Sequence, residues 1–233
     1  MIEIPSFNEL IEKSIVNNWD KDALTDFKGA TLQYHDVARK IEKLHIMFES
    51  SGVQRGDKIA LCGRNSSNWA VAFLATLTYG AVAVPILHEF TADQIHNIVN
   101  HSEAKLLFVG DYVATIIDQT KMPDLEGIIY IPDYSLVVSR TDKLTYAREH
   151  LNAMFGEKYP KFFRKEHVHY YREQSPEELA LINYTSGTTG FSKGVMIPYR
   201  AMWSNYDFAM TAVAKHIKKG DNVISILPMA HMY

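Results

Sequence analysis

Cysteine is almost absent from these 233 residues: Cys62 stands alone. An intrachain disulfide is therefore excluded. The opening stretch MIEIPSFNEL is too polar and acidic for a secretory h-region. Together these features lead us to expect a reducing, cytoplasmic setting. A basic run is also missing, none being longer than the two residues of Lys218-Lys219, and the net charge is −3. Nucleic acid therefore gains no electrostatic hold on the chain. No zinc-ligand spacing is present either. His167-x-His169 has no nearby cysteine, aspartate or third histidine, and Glu166 beside it points elsewhere if the segment is extended. We read these as surface residues, and Cys62 as a core thiol. Long apolar runs are scarce. The only uncharged stretch of membrane-spanning length is Asn65 to Leu87. Gly80 and Pro85 punctuate it, and its residue preferences change from Ala/Leu/Phe to Ala-Val-Ala-Val. A buried helix followed by a buried strand explains it better than a membrane span.

What is present reads as a soluble α/β chain, with 47% hydrophobic and 22% charged residues. Ser6-Phe-Asn-Glu9 is a capping-box pattern and opens a helix to about Asn18. A short strand or hairpin follows near Ala23–Leu32. The spacing of Val37, Ile41, Leu44 and Phe48 predicts a helix over Tyr34–Ser51, with Gly52 at its C-cap. Alternation then sets in. Strands are predicted at Lys58–Cys62, Ala81–Leu87, Lys105–Val109 and Gly127–Ile131. Helices are predicted at Ser66–Tyr79, Thr91–Ser102 and near Tyr112–Gln119. This order implies a mostly parallel sheet with helices on both faces. Thr141–Glu173, rich in charge and aromatics, reads as surface helices and a boundary. We take residues 1–173 as one α/β subdomain and 174–233 as a second segment. There, strands are predicted at Glu178–Tyr184, Gly194–Ile197 and Val223–Leu227, with a helix from Pro198 to about Lys218.

Between the first two of these strands lies Tyr184-Thr-Ser-Gly-Thr-Thr-Gly-Phe-Ser-Lys-Gly-Val195. It fails the G-x-x-x-x-G-K-[ST] spacing of a P-loop in either glycine register. It also leads into a strand rather than a helix. Its chemistry still suits phosphate. Gly187, Gly190 and Gly194 let backbone N–H groups turn inward and approach a ligand. Thr185, Ser186, Thr188 and Thr189 add hydroxyls, and Lys193 adds a charge. A flexible Ser/Thr/Gly linker has the same composition. The apolar strands on both sides argue for a loop held at each end.

This segment resembles the signature loop of the adenylate-forming (AMP-binding) superfamily of acyl-CoA synthetases, luciferases and adenylation domains. Many members have proline where Ser192 stands, and serine also occurs. "GRNSSNWAVAFLATLTYGAVAVPIL" is similar to the early part of that family's large domain. "LPMAHMY", Leu227 to Tyr233, resembles its next motif. The combination looks most like long-chain fatty acyl-CoA ligases. The resemblance implies an ATP- and Mg2+-dependent activation of a carboxylic acid to acyl-adenylate, followed by transfer to coenzyme A. It implies that Thr185, Ser186, Gly187, Thr188, Thr189, Gly190 and Lys193 hold the ATP phosphates. Thr185 would lie near magnesium and His231 beside the acyl pocket. The sequence motif for adenine, the ribose aspartate, the hinge and the C-terminal domain with its catalytic lysine would follow Tyr233. On that expectation residues 1–233 alone are an inactive N-terminal portion. Two alternatives stay open: an aryl or amino-acid adenylating enzyme, and a non-catalytic nucleotide-binding module. Membrane contact would be at most peripheral, since no basic amphipathic helix is evident.

Overall fold

The computed structural model describes residues 5–185, 193–213, 216–218 and 220–231. Helix α1 (Phe7–Asn17) starts where expected, with the Ser6 side chain accepting from the Glu9 N–H. A small antiparallel hairpin, β1 (Asp22–Thr25) and β2 (Thr31–Gln33), leads into α2 (Tyr34–Ser51). That helix ends on Gly52, whose φ of +89° is the left-handed conformation that glycine adopts without strain. The alternating core follows: β3 (Lys58–Cys62), α3 (Ser67–Tyr79), β4 (Val82–Ile86), α4 (Ala92–His101), β5 (Ala104–Val109), α5 (Asp111–Ile116) and β6 (Gly127–Tyr130). The uncharged stretch divides as the residue preferences indicated, into α3 and β4. Among the described residues no helix is long and apolar enough to cross a membrane.

Strand β7 (Leu136–Ser139) was not anticipated. The chain reverses at Asp133-Tyr134-Ser135, where the Asp133 carboxylate accepts from the Ser135 N–H and Tyr134 takes φ +58°. An Asx turn of this kind lets β7 fold back antiparallel on β6. The surface helices expected over Thr141–Glu173 are α6 (Asp142–Glu149) and α7 (Leu151–Lys158). Beyond them Val168 and Tyr170 are buried, so this segment also serves the core. His167 and His169 are exposed, as expected. The chain at Lys165–His167 is a short 3-10 turn rather than extended.

Strands β8 (Leu179–Thr185) and β9 (Lys193–Pro198) precede α8 (Tyr199–Val213). The last helix is shorter than predicted. Lys218 N–H turns to the Asp221 carboxylate, and Asp221 N–H bonds back to Lys218. Gly220, at φ +100°, sits in that turn. The predicted strand at Val223–Leu227 does not form. No described segment pairs with it, and Val223, Ile224, Ile226 and Leu227 are exposed. An apolar run becomes a strand only where a neighbour accepts its backbone hydrogen bonds.

The sheet has seven strands in the order β7-β6-β5-β3-β4-β8-β9, with β6 through β8 parallel and the two outer strands antiparallel. From β3 the chain moves to β4 on one side, then crosses back to β5 on the other. Right-handed crossovers in opposite directions put α3 and α4 on opposite faces. Two apolar clusters result. One joins α1, α2, α3, α6 and α8 to one face, with Trp69, Phe48 and Tyr199 at its centre. The other packs Ile95, Ile98 and Val99 of α4 on the opposite face, with Cys62 and Tyr184. Cys62 is wholly buried, and burial pushes its thiol well above the usual range. It is a core thiol, as read from the sequence.

Candidate active site

All the parallel strands deliver their carboxyl ends to one edge of the sheet. Cys62, Ile86, Val109, Tyr130 and Thr185 are the last strand residues there. In open α/β sheets, this edge, at the point where strand order reverses, is where ligands bind. A cleft of about 310 Å³ opens at the reversal between β3 and β5. Arg64, Asn65, His88, Asp111 and Tyr112 line it. Two N–H groups at the N-terminus of α3 beside it are already taken: Ser67 donates to the Asp26 carboxylate, reaching over from the hairpin, at 2.7 Å, and Trp69 donates to the Ser66 side chain.

The glycine-threonine loop rises from the same edge. Thr185 ends β8 and Lys193 begins β9, and the two are partners across the ladder. Directly opposed residues share a face, so both side chains project toward the α8 side at the mouth of the loop. Both are exposed. Ser186, Gly187, Thr188, Thr189 and Gly190 lie outside the described residues. The loop thus joins two antiparallel strands, as the sequence suggested, and does not lead into a helix.

Its root is built on one pair. Tyr184 lies opposite Gly194, and its ring crosses the position that a side chain at 194 would occupy. A Cβ there would come within 2.9 Å of Ile182 Cγ2 and 3.1 Å of Tyr184 Cζ. The Tyr184 hydroxyl reaches His101 Nδ1, 2.7 Å away at the end of α4. The two rings meet edge to face at 5.7 Å. Burial raises the Tyr184 pKa, which keeps the phenol neutral. Nothing in the composition of the loop pointed to His101. Its place at the last turn of a predicted helix was visible, but its partner lies 83 positions away.

His231 lies just past a turn in which its N–H donates to Pro228 O at 2.9 Å. It is exposed, whereas the neighbouring Ala230 is buried. The segment before it is fastened by Asn65. The Asn65 amide oxygen accepts from Met229 N–H at 2.7 Å, and its amide nitrogen donates to Leu227 O at 2.8 Å and toward Ser225. One side chain in the β3–α3 loop therefore ties the Leu227–His231 segment to the carboxyl edge of the sheet. No spacing along the chain signals this role, because the partners are backbone groups about 160 positions later.

Of the predicted phosphate ligands, the described residues Thr185 and Lys193 are chemically compatible with the groups that the family resemblance implied. A lysine and a hydroxyl at a loop mouth match a polyphosphate. Magnesium is held in such sites through few protein oxygens, with phosphate and water completing its octahedron. The Thr185 hydroxyl would supply one such oxygen at the loop mouth. Among the described residues, no group of three or more His, Cys, Asp or Glu side chains could hold a metal by itself.

Known proteins share both the sequence and the fold. The profile of the family described as AMP-binding enzyme matches residues 11–233. The chain belongs to the AMP-binding enzyme family. It is 30% identical over 210 residues to the peroxisomal long chain acyl-CoA synthetase 7 of Arabidopsis thaliana, covering 87% of this chain and 28% of that protein. It is 25% identical over 209 residues to a 4-chlorobenzoate–CoA ligase of an Arthrobacter species, covering 88% of this chain and 35% of that enzyme. The solved N-terminal domain of FACL13 from Mycobacterium tuberculosis superimposes with a TM-score of 0.75 at 21% identity. That match covers 97% of this chain and 52% of that domain. The mostly parallel sheet flanked by helices is the N-terminal fold of adenylate-forming enzymes. The chain spans roughly a third of the length of the curated relatives it matches.

Proposed function

We propose that the protein carrying this chain is an ATP-dependent acid–CoA ligase that activates a carboxylic acid as its acyl-adenylate. The observation that carries this reading is the arrangement at the carboxyl edge. The Thr185–Lys193 loop mouth and the Asn65-fastened Leu227–His231 segment rise from the same edge of one sheet, in a chain of the AMP-binding family. A carboxylate is a weak nucleophile, and its attack on the α-phosphate crowds negative charge. Lys193 and the loop hydroxyls would bind the β- and γ-phosphates and stabilise charge on the departing pyrophosphate. Thr185 would give one oxygen to magnesium, which supplies charge neutralisation between the phosphates. His231 would border the acyl group. Coenzyme A would then take the acyl group on its thiol and release AMP.

Long-chain fatty acids are the proposed substrate class, supported by the relatives named as long-chain acyl-CoA synthetases. An aryl acid is the second reading, favoured by the similarity to 4-chlorobenzoate–CoA ligase. Trapping the adenylate with hydroxylamine across a panel of acids tests the choice. Hydroxamate from palmitate but not from benzoates supports the first, and the reverse pattern supports the second. We propose further that residues 1–233 alone form no adenylate, because the chain spans so small a share of its relatives. Hydroxamate formation by this stretch alone would refute that.

A further inference from the structure

A second cleft, of about 330 Å³, lies on the other side of the β6–β7 turn, between α2, α6 and α7. Four cationic side chains line it, Arg39, Lys40, Lys43 and Arg148, against two acids, Asp36 and Asp133. The helical repeat of α2 brings 36, 39, 40 and 43 to one face, and α6 contributes Arg148 from across the cleft.

The two acids are largely committed. Asp36 pairs with Arg39 at 3.3 Å and accepts from the Gln33 N–H. Asp133 accepts from Ser135 in the turn. Lys40, Lys43 and Arg148 have no carboxylate within ion-pair distance among the described residues. Each rests on a neutral partner instead. Lys43 donates to the Asn152 amide oxygen at 2.8 Å and lies 5.2 Å from the Phe155 ring centre. Lys40 stands 5.6 Å from the Tyr134 ring centre. The Arg148 Nε donates to Tyr134 O at 2.6 Å. Exposed cations normally take scattered carboxylates or open solvent. Here four cations converge on one concavity against two acids. Asp36 is paired with Arg39, and Asp133, its pKa lowered first by its hydrogen bonds from Ser135, is near enough to Arg148 to be lowered by it as well, so positive charge is in excess.

We propose that this cleft binds a compact phosphate-bearing anion, with Lys40, Lys43 and Arg148 as its ligands. Lysine ammonium groups and a guanidinium are the donors that phosphate oxygens take, and a cleft of this volume admits a phosphate or pyrophosphate group. The charge around Lys43 agrees. The Lys43 pKa is lowered, first by burial and then by Arg39, Lys40 and Arg148 around it. An anion would offset the repulsion among these cations. The cleft is separate from the Thr185–Lys193 loop, so this inference does not rest on the proposed reaction.

The test measures inorganic pyrophosphate binding by calorimetry and amide shift mapping. Lys193→Ala serves as the background, so that the loop contributes no signal. Vesicle sedimentation with and without anionic phospholipid is run in parallel. Either probe should perturb residues 39–43 and 148, and Lys40→Gln/Lys43→Gln should weaken it about tenfold or more. Lys43→Arg, which keeps the charge, should restore most of the affinity. Equal thermal melts of the variants separate lost binding from lost folding. Pyrophosphate binding identifies a free phosphate compound, and vesicle binding alone identifies a lipid headgroup. Absence of both, binding that ignores the double substitution, or shifts confined to other regions would overturn the proposal.

Discussion

Replacing Gly194 by alanine sets two effects against each other. In a strand interior, alanine should gain on glycine by roughly 0.5–1 kcal/mol, because glycine loses more conformational freedom on folding. Gly194 does not need the left-handed backbone, so nothing in its conformation opposes that gain. The opposing effect is contact. The new Cβ would stand 2.9 Å from Ile182 Cγ2 and 3.1 Å from Tyr184 Cζ. Ile182 is β-branched and stiff at χ1. Tyr184 is buried and held by His101 at 2.7 Å. Neither can turn aside freely, so the overpacking cost of about 1–3 kcal/mol should prevail. Moving the ring would also forfeit its hydrogen bond, at about 1 kcal/mol. Urea unfolding should therefore show a net loss of about 1–2 kcal/mol. In an Ile182→Ala background much of that cost should vanish, since the closest clash is gone. A gain in stability for Gly194→Ala, or an identical cost in both backgrounds, would refute the packing account of the loop root.

Other expectations follow from the same geometry. Asn65→Asp would face the carbonyls of Leu227 and Ser225 with a carboxylate. We expect faster amide exchange at Met229 and a raised KM for the acid, with the KM for ATP little changed; unchanged exchange would contradict the fastening role. Lys193→Ala should slow adenylation by about 10²–10³-fold if the lysine acts on charge developing at the phosphates, and unaltered kinetics would remove it from the site. His45 offers a pH test. Its Nε2 contacts Ala75 O and Thr78 Oγ1, and the Thr78 hydroxyl hydrogen goes to Leu74 O, so Nε2 must be the donor. Burial lowers its pKa from the ordinary 6.5 to about 4. A folded-state pKa below the unfolded one adds stability that is present above pH 6.5 and lost as pH falls toward 4. The loss should be about 1–3 kcal/mol, read from urea midpoints at the two pH values. His45→Gln should flatten that slope.

Much of the architecture was legible because it rests on local chemistry. Ser6 and Thr91 cap helices through bonds to residues three positions on, and Gly52 and Gly80 end helices at φ +89° and +87°. Alternating apolar runs then settled which segments are strands. The errors fell where a partner decides the structure. Leu136–Ser139 is short and half exposed, and it became a strand because the Asp133 turn laid it on β6. Val223–Leu227 has a better strand composition, yet no described segment pairs with it, and the Ser225 and Leu227 carbonyls accept from Asn65 instead. The same limit applies to the site. Thr185 and Lys193 could be named from their chemistry. Asn65, His101 and the Lys40–Lys43–Arg148 cleft depend on contacts made across the fold, which no spacing along the chain reveals.

The most direct test of the central claim follows an oxygen atom. The protein carrying this chain, at its full length, is given a carboxylic acid labelled with 18O in the carboxylate, together with ATP and coenzyme A. If the carboxylate attacks the α-phosphate, the bond from the α-phosphorus to the α–β bridging oxygen breaks, pyrophosphate leaves with that oxygen, and a labelled carboxylate oxygen becomes the bridge between carbon and phosphorus in the adenylate. The thiol then attacks the carbonyl carbon, the C–O bond breaks, and AMP departs with one 18O atom. Label in AMP, with unlabelled pyrophosphate, is the predicted result. Release of ADP, with the label in inorganic phosphate, would show attack on the γ-phosphate and contradict the account.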